Sequence, residues 1–278
     1  MAAYTKLSIR ATDEQGEILS AYLADFPFDS FDYEDGMLNA YIPQSQLDDC
    51  RDAVEELLHN EGVLDFFFED IEAQNWNAEW ESNFAEVEVR GEVLIRAPFH
   101  APRTNYRGLE IIIQPKMSFG TGHHATTQLM VEMLLDADVK GKRVLDMGSG
   151  TGVLAIVAAK LGAESVFAVE IDDMAEESVR ENIVLNDVED RVESVCGDAS
   201  AIAGENFDIV LANINRNILL ADMKAYVATL AKGGELVMSG FFAEDIEPLT
   251  KAAERLRMRL VRKLACGEWQ ALKFEKIG

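Results

Sequence analysis

Residues 144–152, VLDMGSGTG, set Gly148, Gly150 and Gly152 at alternate positions behind an acid, Asp146. Glycines so spaced let the backbone turn tightly and let a ligand approach closely, and the helix start behind them offers free N–H groups. A dinucleotide fingerprint needs GxGxxG, but the third residue after Gly150 is Val153; the GxxxxGK[ST] of a P-loop is absent. Diphosphate binding is therefore disfavoured. Two more acids follow. Glu170, in VEID, lies 22 residues after Gly148, the interval at which an acid can accept hydrogen bonds from both hydroxyls of a ribose. Asp198, in CGDA, can accept from an exocyclic amine such as that of adenine. Each acid alone says little, since acids at strand ends are often just solvated. Together with GxGxG they describe a nucleoside pocket with no diphosphate requirement.

Such a pocket needs a scaffold that gathers strand ends. From residue 128 the pattern predicts a helix (QLMVEMLLDA), the strand RVLDM, the glycine turn, the helix VLAIVAAKLG, the strand SVFAVEI and a helix over 173–186. A strand in VESVCGDA, the strand FDIVLAN, a helix over 217–230, the strand GELVMSG, a helix over 244–257 and the hairpin LVRKLACGEWQALKFEK complete it. Alternating strands and helices imply an α/β domain with a doubly wound, mostly parallel sheet, the hairpin adding an antiparallel strand at or near its end. Ligands bind such sheets at the carboxyl ends of the strands. Asn213 ends FDIVLAN there; Asn215 is either a helper beside it or the N-cap of the next helix.

Residues 1–71 read as a small α+β, ferredoxin-like domain. A strand over 4–10 precedes a helix over 13–24 with Ile18, Leu19, Tyr22 and Leu23 on one side. A turn at Asp35-Gly36 leads into a strand, 37–42. Ser45 can cap a helix to about His59 that buries Leu47, Cys50, Val54, Leu57 and Leu58, and VLDFFFEDIE forms a last strand. Residues 72–84, polar with Trp76 and Trp80, read as a linker to a domain over 85–278, whose first part, to 113, holds short strands.

Composition narrows the partners. Of 278 residues, 25 are basic and 50 acidic, a net charge of −25. That field repels nucleic-acid phosphates and favours basic partners, although solubility alone also accounts for it. Cys50, Cys196 and Cys266 form no CxxC pair, so neither a zinc cage nor a disulfide framework is expected. No secretory h-region and no run near the ~20 apolar residues of a bilayer span occurs, which makes the cytoplasm the default. His123 and His124 are adjacent and point apart in most backbone conformations, and His59 and His100 are remote, so no metal is expected.

The GxGxG turn with Glu170 and Asp198 resembles the Rossmann-like S-adenosylmethionine-dependent methyltransferases. In such an enzyme Asn213 would lie where the methyl group is presented. Amide and carbonyl oxygens there orient an amine's lone pair for in-line displacement, a step that needs positioning more than a strong base. The segment FGTGHHATT (119–127), then VLDMGSGTGVLAIVAAKLGA, VEID, LANIN and a closing GEW, resembles the PrmA-type ribosomal protein methyltransferases. That resemblance covers the whole catalytic half; the N-terminal domain matches in size and pattern. It implies cofactor contacts at Thr127, Gly148, Glu170 and Asn213, with Glu170 standing where the family has Asp. It further implies repeated methylation of ε- and α-amines of the eleventh large-subunit protein, and substrate recognition by the N-terminal domain across a reorienting linker. The 116–127 segment would form a lid bending at Gly120 and Gly122. Phe119 covers the cofactor or anchors that loop, and one of His123 and His124, with His123 the candidate, orders the substrate or the loop; Trp269 of GEW reads as core or edge packing rather than substrate contact. The chain is expected to act as a monomer. Two other readings stay open. A related methyltransferase acting on RNA, DNA or a small molecule would want an aromatic beside the strand-four motif, which LANIN lacks. A non-catalytic cofactor-binding scaffold would not need GxGxG, Glu170 and Asn213 together.

Overall fold

A computed structural model of the chain describes residues 4–34, 36–71, 84–116 and 120–277, which fall into two units, 1–83 and 84–278. The first runs β1 (Tyr4–Arg10), α1 (Asp13–Leu23), β2 (Ser30–Glu34), β3 (Met37–Pro43), α2 (Gln44–Asn60) and β4 (Phe66–Ile71). Its antiparallel sheet has the order β2-β3-β1-β4, the split βαβ arrangement of the ferredoxin-like fold. Strand alternation sends Leu7, Ile9, Leu38, Ala40 and Ile42 to one face, where Leu19, Leu23, Leu47, Val54 and Leu58 of the helices cover them.

Several local expectations are corrected here. Ile18 and Tyr22 are exposed, and Leu19 and Leu23 carry the contact of α1 with the sheet. Helix α1 starts at a capping box between Thr12 and Gln15. Helix α2 begins one residue before Ser45, behind Pro43, with no side-chain cap, so Ser45 falls inside its first turn. Cys50 and Leu57 are half-buried rather than core. Strand β2 was not expected; its residues are mostly exposed, so no apolar alternation announces it. Asp35 of the expected turn, and residues 72–83 of the expected linker with Trp76 and Trp80, lie outside the described residues.

The second unit opens with a small sheet, β5 (Val87–Val89), β6 (Val93–Arg96) and β7 (Leu109–Ile112), in that order. Then follow α3 (Ala125–Leu135), β8 (Arg143–Met147), α4 (Val153–Lys160), β9 (Ser165–Glu170), α5 (Asp173–Leu185), β10 (Val192–Cys196) and β11 (Phe207–Asn213). The chain ends with α6 (Arg216–Thr229), β12 (Leu230–Phe242), α7 (Ile246–Arg255), β13 (Met258–Cys266) and β14 (Trp269–Lys276). The seven strands lie in the order β10-β9-β8-β11-β12-β14-β13. Strands β8 to β12 pair in parallel, and the closing hairpin pairs antiparallel, with β14 against β12.

Helix α4 is apolar all round because it is covered all round: Val153 to Ala159 are all buried. Polar residues on α5 clamp its surroundings. Asn182, fully buried, donates to Thr151 O at 2.9 Å and accepts from Gln114 N at 2.8 Å. Asn186 pairs with both backbone groups of Ile112, at 2.9 and 2.6 Å. These amides fix the glycine turn and the small sheet against one helix. The chain runs from β8 outward to β9 and β10, then returns to β11 on the other side of β8. The reversal between β8 and β11 is the topological switch point at which open α/β sheets bind ligands.

Candidate active site

At the end of β8 the backbone reverses through Gly148, whose φ is +69°. A Cβ there would sit 2.4 Å from the Ile214 side chain, so the position admits only glycine. The N–H groups of Gly148 and Ser149 donate to Val169 O at 2.8 and 3.1 Å, which holds the turn against β9. Beneath it, Asp146 accepts from Ala155 N at 3.0 Å through one oxygen. Its other oxygen has no partner. Complete burial pushes the Asp146 carboxyl up to about 7, against the pull of the Ala155 hydrogen bond and with a further push from Glu170.

Glu170 organises the turn. Its Oε2 accepts from Gly150 N at 2.8 Å, and its Oε1 from Ile171 N at 2.9 Å and Asp172 N at 3.2 Å. A carboxylate offers about four acceptor positions. Three are therefore taken, and one on Oε2 stays open, room for one ribose hydroxyl where the spacing predicts contacts to both. Asp198 is exposed, and hydrogen bonds from the Ser200 hydroxyl and N–H hold its carboxyl below the usual carboxylate range.

A cavity of about 420 Å³ opens over the carboxyl ends of β8, β9, β10 and β11. Gly148, Gly150, Glu170, Asp198 and Asn213, all singled out by spacing, line it. The Asn213 Oδ1 is buried and has no partner. Asn215 is the N-cap of α6: its side chain accepts from the N–H groups of Asn217 and Ile218. The remaining sequence candidates stand elsewhere. Thr127 is buried behind the cavity wall, its hydroxyl without a partner, and His124 and Thr126 line the wall itself. His123 faces away from the cavity lining: its Nε2 lies 2.8 Å from Ala85 O and its ring meets Phe84 edge-on. Phe119 lies outside the described residues. In the expected lid, Gly120 and Gly122 have left-handed backbones, and the Thr151 hydroxyl donates to Gly120 O at 2.7 Å, tying the segment to the glycine turn.

Sequence reasoning missed part of the lining: His124, Ile218, Asp222, Tyr226 and Trp269. Residues 215, 218, 222 and 226 recur at helical spacing on α6, so its face toward the cavity was present in the pattern. Nothing in the sequence joins Trp269 to His124, which meet only through the pairing of β14 beside β12.

A nucleoside-sized cavity at the switch point of this sheet, free of P-loop geometry, defines a Rossmann-like methyltransferase. The likeness to known proteins is then specific. A family model described as ribosomal protein L11 methyltransferase (PrmA) matches residues 4–277. The chain is 47% identical over 264 residues to the ribosomal protein L11 methyltransferase of Porphyromonas gingivalis, covering 93% of this chain and 90% of that one. It is 33% identical to that of Chlorobaculum parvum, covering 98% of this chain and 96% of the relative. The crystal structure of a ribosomal protein L11 methylase from Lactobacillus delbrueckii subsp. bulgaricus superimposes with a TM-score of 0.66 at 28% identity, over 70% of this chain and 100% of that one. The chain belongs to the ribosomal protein L11 methyltransferase family.

Proposed function

We propose that the protein transfers methyl groups from S-adenosylmethionine to lysine or N-terminal amines of a basic large-subunit ribosomal protein, the L11 named for its relatives. The observation that carries this reading is the buried, unpartnered Asn213 Oδ1 in one cavity with Glu170 and Asp198. The residues present fit the cofactor. The orphaned buried Asn213 Oδ1 faces the cavity and calls for a polar ligand.

Glu170 would hold a ribose hydroxyl through the open position on Oε2. Asp198, ionised at neutral pH, would accept from the adenine amine. The Gly148–Gly150 turn would border the amino-acid end, with Thr127 behind the wall there. When bound, the cofactor supplies a methyl group already activated on a sulfonium. Asn213 Oδ1 would then accept from the N–H of an incoming amine and aim its lone pair at the methyl carbon, after the amine has given a proton to water. Fixed geometry of this kind accounts for much of the rate in a displacement that needs no strong base.

The N-terminal unit would receive the substrate. Residues 1–71 hold 17 acidic and three basic side chains, a net charge of −14 in a quarter of the chain. All three bases are paired: Lys6 with Glu69, Arg10 with Asp65 and Arg51 with Glu55. The field left over attracts a cationic protein and repels nucleic acid. The reading includes action as a monomer in the cytoplasm. Among the described residues no helix is long and apolar enough to cross a membrane.

Tritiated methyl transfer from S-adenosylmethionine into a bacterial ribosomal extract should label one large-subunit protein. Label in ribosomal RNA instead would overturn the amine reading. A calorimetric titration that releases no heat with S-adenosylmethionine would overturn the cofactor reading as well.

A further inference from the structure

The nucleoside reading uses one part of the cavity lining and leaves another unexplained. Trp269, His124 and Gly240 line the same cavity as Asn213. Gly240 follows Ser239, the residue that pairs with Asn213 across β11 and β12. Its φ is +97°, and a Cβ there would lie 2.4 Å from Ile214 O, so only glycine lets the backbone after Asn213 pack this closely on β12. The Trp269 ring is held from two sides: His124 meets it edge-on at 4.6 Å, and Phe242, its partner in the β12–β14 register, lies at 4.3 Å. The His124 ring is fixed in turn. Its Nδ1 accepts from Thr126 N at 3.3 Å and lies 2.7 Å from the Thr126 hydroxyl.

We propose that Trp269, braced by His124 and Phe242, is the surface on which the acceptor nitrogen is held as it becomes cationic, and that it sets how far methylation proceeds. The inference rests on the amine reading above. In the transfer, the nitrogen lone pair forms the new N–C bond while the C–S bond breaks and its electron pair stays on sulfur. Positive charge thus moves from sulfur to nitrogen. An indole face attracts a cation within ~6 Å, by about 1–2 kcal/mol when water is excluded. Because the charge on nitrogen grows during the step, that attraction is stronger in the transition state than in the ground state and so accelerates transfer.

The ring also suits a nitrogen that already bears methyl groups. A carboxylate holds an ammonium through its N–H bonds, and each methyl added removes one. A ring face needs no N–H. Methyl groups share the positive charge and are cheap to desolvate, so the ring keeps its hold on mono- and dimethylated nitrogen. Trp269 therefore matters most for the later transfers, where Asn213 has fewer N–H groups to accept from.

The test uses the full-length protein and the large-subunit protein labelled in the ribosomal extract, with the rate of each successive methylation read by mass spectrometry. Trp269→Phe should stay within about threefold of the unsubstituted protein at every step. Trp269→Leu should slow the last transfer about tenfold, more than the first, and leave product arrested at lower methylation; tenfold corresponds to ~1.4 kcal/mol, within the range for one desolvated cation on one ring. Affinity for S-adenosylhomocysteine, measured by calorimetry, should not move. Site-specific incorporation of mono-, di- and trifluorotryptophan at 269 keeps the ring's shape while draining its face, and should slow the last transfer stepwise. A flat fluorination series, or Trp269→Leu slowing all transfers in equal proportion, would overturn the inference. Transfer by the unsubstituted protein is the control: its absence overturns the amine reading and this inference with it, whereas normal transfer with a flat series overturns this inference alone.

Discussion

Replacing the Glu170 carboxylate by an amide, Glu170→Gln, probes the cofactor half of the site at its most connected point. The native side chain takes three backbone N–H groups, from Gly150, Ile171 and Asp172, at 2.8, 2.9 and 3.2 Å. Glutamine supplies one oxygen and one NH2. If the oxygen keeps Ile171 and Asp172, the NH2 points at the Gly150 N–H and at the ribose hydroxyl assigned to Oε2. Hydrogen bonds to a charged group contribute about 1.5–3 kcal/mol net, neutral ones about half of that, and a buried donor left unpaired costs about 1–3 kcal/mol. Losing the charge on one contact and setting a donor against the Gly150 N–H comes to about 2–4 kcal/mol. Part of that falls on folding and part on binding. An even split leaves about 1–2 kcal/mol on binding, so S-adenosylhomocysteine should bind about 5- to 30-fold more weakly to the variant, as read by calorimetry, and the melting temperature should fall. An affinity within about threefold of the unsubstituted protein for Glu170→Gln, with an unchanged melting temperature, would refute the role given to this side chain.

Other consequences are open to direct measurement. Asn213→Ala should cut methyl transfer about a hundredfold while S-adenosylhomocysteine affinity stays within about threefold; loss of both together would contradict an acceptor-positioning role. Asp146 titrates near 7 in the fold against an ordinary 3.8. Its neutral form is the folded one, so its contribution is fully present below pH ~4 and is lost as pH rises through ~7, by about 4 kcal/mol at most. Urea denaturation should then show Asp146→Asn gaining stability relative to the unsubstituted protein between pH 4.5 and pH 7.5, and a pH-independent difference would refute the assignment. The exposed Cys196 thiol donates to Asp173 Oδ1 at 2.8 Å, and that hydrogen bond, with burial and neighbouring acids, pushes it up to about 11. Alkylation of Cys196 at pH 8, followed by mass spectrometry, should speed up in Asp173→Asn; an unchanged rate would show that Asp173 does not hold the thiol.

The parts of the fold legible in the sequence are those where one physical signal dominates. Strands β8 and β11 fall on RVLDM and FDIVLAN as read, because apolar runs buried on both faces stop abruptly at glycine or asparagine. Strand β2 was invisible because SFDYE is largely exposed and offers no buried alternation. Helix α3 starts at Ala125, three residues before its apolar run, because His124 caps it, and histidine is not a usual cap. Within the site, Gly148, Gly150, Glu170, Asp198 and Asn213 were found because each is fixed to a strand end by local spacing. Trp269 was not, because it reaches the cavity only through antiparallel pairing with β12, a contact that a reading of local pattern cannot see. The histidines show the same limit. His123 drew attention beside His124, yet the helix start turns His124 to the cavity and leaves His123 against Phe84.

The central claim, methyl transfer to amines in a single cavity, is tested most directly with the purified basic large-subunit protein, S-adenosylmethionine and this enzyme, followed by intact-mass and fragment-ion analysis. The account predicts whole methyl increments on lysine side chains or the N-terminal amine, forming about a hundredfold more slowly with Asn213→Ala. Increments on any other atom type, or none on the protein while ribosomal RNA in a parallel reaction gains them, would contradict it.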